Sequence, residues 1–301
     1  MADVNERERI GLIGVGLVGT ALAENLLAAG FRVVGYDIVP EQCRRLEELG
    51  GEAASGPADV ARRCRRVVLS LMTTEIVCEV VEGSGGLLDA GPPPTHVIDT
   101  TTGDPDATMA LAERLAARNV AYLDATLSGS SRMIRERRGV FMVGGDLAAF
   151  DACRDLLDAT AEKVFYLGPA GSGAKGKLAS NLILGLNRAA LAEGLVFAER
   201  LGLDLPAFLE LLKQSPARSA QMDAKGDKML SGEFTPQSRI AQHHKDVALI
   251  LEYAAKTGQA LPLSKTHLGL LTAAIEAGDA DLDTSAIIKE LRRQRSPGGQ
   301  Q

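Results

Sequence analysis

Gly14-Val15-Gly16-Leu17-Val18-Gly19 stands between an apolar run, Arg9–Ile13, and a stretch of helical periodicity, Leu17–Ala29, that Gly30 closes. Strand, glycines and helix in that order leave few folds open. The first glycine permits a tight turn, the second lets the backbone approach a ligand, and the third lets the helix pack closely on the strand. The helix N-terminus turns unpaired N–H groups and the positive end of its dipole toward phosphates. Phe31–Tyr36 reads as a second strand, and Asp37 ends it. An acidic side chain there accepts hydrogen bonds from ribose hydroxyls and repels a 2′-phosphate. A GxGxxG alone is weak evidence; in this context it predicts a dinucleotide-binding βαβ unit. Gly14, Gly16, Leu17, Val18, Gly19 and Asp37 are its expected cofactor-binding residues. NAD is the expected cofactor, with NADP possible because Arg44 and Arg45 lie further along.

The first half of the chain continues the alternation. Arg66–Leu71, Thr95–Asp99, Ala121–Ala125, Val140–Val143 and Val164–Leu167 read as strands. Helical stretches fall near Pro40–Leu49, Ala58–Cys64, Glu75–Glu82, Pro105–Ala117 and Leu147–Ala159. Such alternation predicts a mostly parallel sheet with helices on both faces. Ligands bind beyond the C-terminal strand ends of such sheets. Asp37, Met72, Thr102 and Ser128 follow predicted strands and are expected to ring one crevice; Leu71, Met72 and Thr102 join the cofactor-binding set. After Gly173 strand runs disappear and alanine- and leucine-rich helical periodicity takes over, with Lys175–Leu201 fit for one long helix. Pro206, Pro216, Pro236 and Pro262 punctuate the helices that follow. The fold class is therefore α/β, with a Rossmann-like dinucleotide-binding domain over 1–168 and an all-helical domain over 169–301, to which the family resemblance described below adds a substrate and oligomerisation role.

Composition narrows the function classes. The 301 residues suffice for two domains with sizeable cores. A formal net charge of -6 and the absence of a basic, aromatic-laced stripe argue against nucleic acid. Cys43, Cys64, Cys78 and Cys153 show no CxxC pairing and read as reduced thiols. No metal-ligand cluster is visible, and no apolar run looks long enough to span a bilayer. Met1–Arg9 is polar and short, unlike a signal or transit peptide, and the tail Arg295–Gln301 has a disordered composition. A cytoplasmic enzyme without a membrane partner is expected.

The chemistry sits in Gly171-Ser172-Gly173-Ala174-Lys175-Gly176-Lys177-Leu178-Ala179-Ser180-Asn181. Lys177 and Asn181 are four residues apart and project from one helix face. A lysine can move a hydroxyl proton while an amide holds the oxygen. Beside a dinucleotide fingerprint, the pair suggests hydride transfer at a carbon bearing oxygen. Taking up a proton requires neutral lysine, whose unperturbed pKa is about 10.4, so desolvation or cationic neighbours must lower it. Lys175 and Lys245 are the available cations, although Lys175 points elsewhere on the helix. His96, His243, His244 and His267 have no partner legible in the sequence, and structural roles are expected of them.

From about Ile10 to Glu290 the chain resembles the β-hydroxyacid dehydrogenases. That group contains 3-hydroxyisobutyrate dehydrogenases, tartronate semialdehyde reductases and glyoxylate/succinic semialdehyde reductases. Beyond the fingerprint and the lysine segment, the resemblance rests on three further segments. These are Asp124-Ala125-Thr126-Leu127-Ser128-Gly129-Ser130, His244-Lys245-Asp246, and Gly278–Ala286 with Asp283 and Thr284. It implies that Lys177 is the general acid/base and that Asn181 positions the substrate. It implies that Ser128 and Gly129 hold the substrate carboxylate, that Lys245 lies near the nicotinamide, and that Thr102 contacts the cofactor. Homodimers or homotetramers assembled through the helical domains are implied as well. Thr126 replaces the family's proline, Ser130 its second glycine, Ser131–Arg138 a run of small residues, Met72 a common proline and Thr284 a frequent phenylalanine. Asp37-Ile38-Val39-Pro40 lacks the Asn-Arg pair typical of NADP-using relatives. The expected reaction interconverts a small β-hydroxy acid with its semialdehyde or keto acid. An imine reductase is the enzymatic alternative, and a catalytically silent nucleotide-binding subunit the non-enzymatic one.

Overall fold

A computed structural model of the chain describes residues 8–89 and 91–294. The N-terminal segment and C-terminal tail read above from composition lie outside those residues, apart from Glu8 and Arg9. The chain divides into two compact units, Met1–Lys177 and Leu178–Gln301.

Unit 1 follows the βα alternation. It runs β1 (Arg9–Ile13), α1 (Leu17–Ala28), β2 (Arg32–Tyr36), α2 (Pro40–Glu48), β3 (Glu52–Ala53), α3 (Pro57–Arg63), β4 (Arg66–Leu69) and α4 (Thr74–Glu82). It continues β5 (His96–Asp99), α5 (Pro105–Ala116), β6 (Ala121–Ser128), α6 (Ser131–Arg135), β7 (Val140–Gly145), α7 (Leu147–Ala152), α8 (Arg154–Thr160) and β8 (Lys163–Gly168). The strands form one sheet in the order β3-β2-β1-β4-β5-β6-β7-β8. Pairing is parallel throughout except between β6 and β7. Two apolar clusters cover the sheet. Leu12, Leu22, Leu26, Ile98 and Phe141 belong to one, and Ile13, Val34, Val60, Val97 and Leu111 to the other. Ile10, Leu12, Val67 and Val97 are fully buried, which explains the unbroken apolar runs of central parallel strands.

Several expectations change in detail. β4 stops at Leu69, so Ser70 and Leu71 belong to the loop. β6 runs to Ser128 rather than Ala125, because β7 pairs with its far half. The helix read over Leu147–Ala159 is two helices that meet at Cys153. The short β3 and α6 had no sequence signal long enough to show periodicity.

α9 (Ser172–Arg200) opens the helical region, and the division into units falls inside it. Unit 2 continues with α10 (Leu205–Gln214), α11 (Ala220–Ser231), α12 (Ile240–Lys256), α13 (Pro262–Glu276) and α14 (Ile287–Arg293). Pro206 and Pro262 sit in the first turns of α10 and α13, where a missing N–H is harmless. Leu191, Leu195, Met229, Ile240, Val247, Leu271 and Ile288 form the core. One expectation fails here. By length and composition alone, the 29-residue α9 is apolar enough to cross a membrane, because alanine, leucine and glycine dilute its few charges. Its buried positions nevertheless include Lys177, Asn181 and Arg188.

Candidate active site

The glycine loop between β1 and α1 is built to receive an anion. Gly14 adopts a φ of +90°, and any side chain at Gly19 would press into the carbonyl of Gly14. Around Gly16 there is open space where a Cβ would point. Gly16 is also the N-cap of α1, without a side-chain cap and without an acidic residue in the first turn. The first N–H groups therefore remain for phosphate oxygens. The Asp37 carboxylate reaches back into the loop, accepting the Val15 N–H at 2.7 Å and the Val39 N–H at 2.9 Å. Each oxygen keeps a lone pair for a ribose hydroxyl. Arg44 is engaged with Glu41, and Arg45 is exposed. These residues fit a dinucleotide.

Within unit 1, Leu71 and Met72 follow the C-terminal end of β4 and Thr102 that of β5, while Lys245 lies on α12 of unit 2. The Leu71 N–H donates to Thr101 Oγ1 at 3.2 Å, tying the loop after β4 to the loop after β5. Leu17 and Met72 are exposed, and Val18 and Thr102 half-buried. Ser128 is the last residue of β6, and Gly129 follows with a φ of +150°.

Two residues of β6 fix the start of α9. The Asp124 carboxylate accepts the N–H groups of Gly171 and Ala174, each at 2.9 Å. Burial pushes this carboxyl above its ordinary range, and the backbone N–H groups pull it back. Thr126 Oγ1 donates to the Gly173 carbonyl at 2.9 Å. A side chain at Gly173 would run into the carbonyls of Asp124 and Met142, so only glycine permits this approach. One turn further, Lys177 is 7% exposed, whereas Lys175 faces outward with Nζ 3.5 Å from Met109 Sδ. Asp124 had no role assigned from sequence, although it opens the Asp124–Ser130 segment.

Within unit 2, Asn181 and Lys245 meet at one carboxylate. Asn181 Nδ2 donates to Asp246 Oδ2 at 3.2 Å, and Lys245 Nζ lies 3.5 Å from Asp246 Oδ1. Asn181 and Asp246 are buried, Lys245 half-buried. Asp246 is the second functional candidate that sequence reasoning passed over; its adjacency to Lys245 was the available signal. Behind it lies a buried polar cluster. Lys225 Nζ contacts both Asp283 oxygens at 2.8 and 2.9 Å, and Arg188 Nη1 donates to Thr284 Oγ1 at 2.9 Å. Burial lowers Lys225, while the same ammonium holds Asp283 below the carboxylate range against its own burial.

The remaining expectations resolve locally. Arg132 and Arg138 pair with Glu136, Arg135 with Glu24, and Arg137 donates to the Asp158 carbonyl. The arginine-rich segment is thus internally satisfied surface charge. All four cysteines are free thiols, and burial pushes Cys64 up to about 12. The His243 and His267 rings meet at a tilt, their centroids 5.2 Å apart, while His96 and His244 face Thr95 and Thr272 hydroxyls at 3.0 Å. Among the described residues no cluster of His, Cys, Asp and Glu could hold a metal.

A parallel sheet carrying a dinucleotide loop, followed by a helical region that opens on a buried lysine, defines an NAD(P)-dependent oxidoreductase. The chain belongs to the β-hydroxyacid dehydrogenase family. Residues 9–168 match the NAD binding domain of 6-phosphogluconate dehydrogenase, and residues 171–291 the NAD-binding region of NADP-dependent 3-hydroxyisobutyrate dehydrogenase. The L-threonate dehydrogenase of Cupriavidus necator is 32% identical over 290 residues, 96% of this chain and 98% of that one. The cytokine-like nuclear factor N-PAC of Aedes aegypti is 29% identical over 83% of this chain, which spans 45% of that protein. The crystal structure of 3-hydroxyisobutyrate dehydrogenase from Salmonella typhimurium superposes with a TM-score of 0.86 at 28% identity. It covers 94% of this chain and 99% of that one.

Proposed function

We propose that this enzyme interconverts a small β-hydroxy acid and its semialdehyde or keto acid, with Lys177 as the general acid/base. The observation that carries this reading is a buried lysine one helical turn before a buried asparagine, on a helix whose start is pinned by Asp124. When bound, a nicotinamide supplies the hydride acceptor or donor. Gly14, Gly16, Leu17, Val18, Gly19, Asp37, Leu71, Met72, Thr102 and Lys245 would hold the cofactor. In carbonyl reduction the Lys177 ammonium gives its proton to the developing alkoxide; in oxidation neutral Lys177 takes the hydroxyl proton. Asn181 holds the hydroxyl oxygen, its amide oriented by Asp246. The Ser128 hydroxyl and the Gly129 N–H hold the carboxylate. Asp37 favours NAD over NADP. Relatives named for threonate and 2-(hydroxymethyl)glutarate support a carboxylate-bearing substrate. The domains are assigned as 1–168 for the cofactor and 169–301 for substrate and assembly, in a cytoplasmic homodimer or homotetramer that engages neither nucleic acid nor membrane.

Steady-state turnover of Lys177→Ala tests the reading. General acid–base groups contribute roughly 10²–10⁴-fold, so kcat should fall by at least that lower bound while NAD binding persists. A fall of less than about tenfold would sink the assignment. A relative named as a cytokine-like nuclear factor, and not as a dehydrogenase, supports a second reading, a catalytically silent nucleotide-binding subunit. It predicts NAD binding with no activity toward any β-hydroxy acid.

A further inference from the structure

Buried threonines lace together the two loops that follow β4 and β5. Thr100 Oγ1 donates to the Leu69 carbonyl at 2.8 Å, Thr101 Oγ1 accepts the Leu71 N–H at 3.2 Å, and Thr74 Oγ1 accepts the Asp104 N–H at 2.9 Å. All three threonines are buried. Thr74 is the first residue of α4, yet its hydroxyl serves the other loop, and Thr73 caps the helix. The loops approach so closely that a side chain at Gly103 would run into Thr74 Oγ1.

Both ends of the lacing are anchored. Asp99, the last residue of β5, accepts the Thr101 N–H at 2.9 Å and Tyr122 Oη at 2.6 Å. A side chain at Gly14 would press into the Ser70 carbonyl, so the glycine loop packs directly on the start of the loop after β4. Strand order says what the laced loops face. Neighbouring strands run β2-β1-β4-β5. Asp37 at the end of β2 suits the adenosine ribose, and the glycines after β1 suit the phosphates. A dinucleotide laid across these ends in that order leaves its second nucleoside to the loops after β4 and β5. Three spacings of ~4.8 Å carry it roughly 14 Å from β2 to β5. Leu71 stands on one of these loops and Thr102 on the other. Two loose loops would each lose freedom on binding, and loops already tied together lose less.

We propose that Thr74 and Thr101 are positioning residues for the nicotinamide half of the cofactor: their hydroxyl oxygens hold the loops after β4 and β5 together as one preformed surface. The inference rests on the assignment of Leu71 and Thr102 to the cofactor made above.

The test is calorimetric titration of NADH and of ADP-ribose, which lacks the nicotinamide, into the wild type, Thr74→Val, Thr101→Val and Thr74→Ser. Valine keeps the shape of threonine and removes the acceptor, leaving the Asp104 or Leu71 N–H unpaired. Each valine variant should weaken NADH by about tenfold while ADP-ribose stays within about twofold, because Asp37 and the glycine loop are untouched. Thr74→Ser, which keeps the oxygen, should recover the wild-type affinity. Equal losses for both ligands would mark a general loosening of the fold and overturn the inference. Unchanged NADH affinity in both valine variants overturns it as well. A wild type that binds ADP-ribose as tightly as NADH has a different meaning: Leu71 and Thr102 then do not serve the nicotinamide half, and the inference falls with that assignment. Should the valine variants not fold, amide hydrogen exchange of the wild type without cofactor decides. Slow exchange at Leu71 and Asp104 supports the preformed surface, and exchange at the rate of an open loop overturns it.

Discussion

Asp124 accepts the backbone N–H of Ala174 at 2.9 Å across 50 residues of sequence. The bond makes the third turn residue of α9 an extension of β6. Lys177 is therefore positioned by the sheet and not by its own helix alone.

Gly173→Ala should disturb this junction. The added methyl meets the carbonyls of Asp124 and Met142, neither of which can swing aside as a side chain would. Overpacking of this kind destabilises by about 1–3 kcal/mol, and a displacement near 1 Å can lower a rate about 10²-fold. Thermal melting and kcat should both fall, with cofactor affinity nearly retained. Wild-type kcat in Gly173→Ala would show that the approach is not needed to place Lys177.

Asp37→Ser should narrow the preference for NAD. The substitution removes an acceptor for ribose hydroxyls and a charge that repels a 2′-phosphate. It also frees the Val15 and Val39 N–H groups that Asp37 now holds. Both cofactors should bind more weakly, NAD by the larger factor. Comparing kcat/KM for NAD and NADP decides it; a wild type that prefers NADP would show that Arg45 or another cation overrides Asp37.

Asp99 makes stability depend on pH with an unusual sign. Burial raises this carboxyl to about 6, above its ordinary value, despite hydrogen bonds from Thr101 and from Tyr122 Oη at 2.6 Å. The folded chain thus binds the proton more tightly than the unfolded chain. The associated stability is complete below the ordinary carboxylate pKa and is lost as pH rises through 6. Asp99→Asn should therefore stabilise the protein at pH 8, by roughly 3 kcal/mol for a shift of about two units. The gain should vanish by pH 4. Denaturant melts at the two pH values check it, and equal effects at both would refute the assignment.

Assembly is expected through unit 2, where Ile183, Phe197 and Leu201 are 60–64% exposed. Ile183 and Phe197 lie on α9 and Leu201 just past its end, and exposed apolar surface of this kind marks sites of association. Phe197→Glu should move the species seen by light scattering toward the monomer. A wild type that is already monomeric would remove the oligomer from the reading.

The fold was legible wherever a local signal had the length to repeat. The fingerprint, the strand after it and Asp37 marked the first two of the eight strands, and Pro206 and Pro262 marked helix starts. The reversal at β7 left no trace, because strand direction depends on which partner is reached, and a run such as Val140–Val143 looks alike both ways. The site divided along the same line. Lys177 and Asn181 announce themselves by helical spacing. Asp124 and Asp246 act through groups 50 and 65 residues away, and no window of sequence contains both ends.

The far half of β6 has a mechanical consequence. β5 pairs with it only as far as Asp124, so Ala125 to Ser128 are flanked by β7 alone. Four residues at ~3.3 Å each make an edge roughly 13 Å long that β7 supports on one side only. It is clamped at its root by Asp124 and braced by Thr126 against α9. Any force that tilts the first turn of α9 is transmitted to the tip that bears Ser128, so strand tip and helix start should yield as one piece.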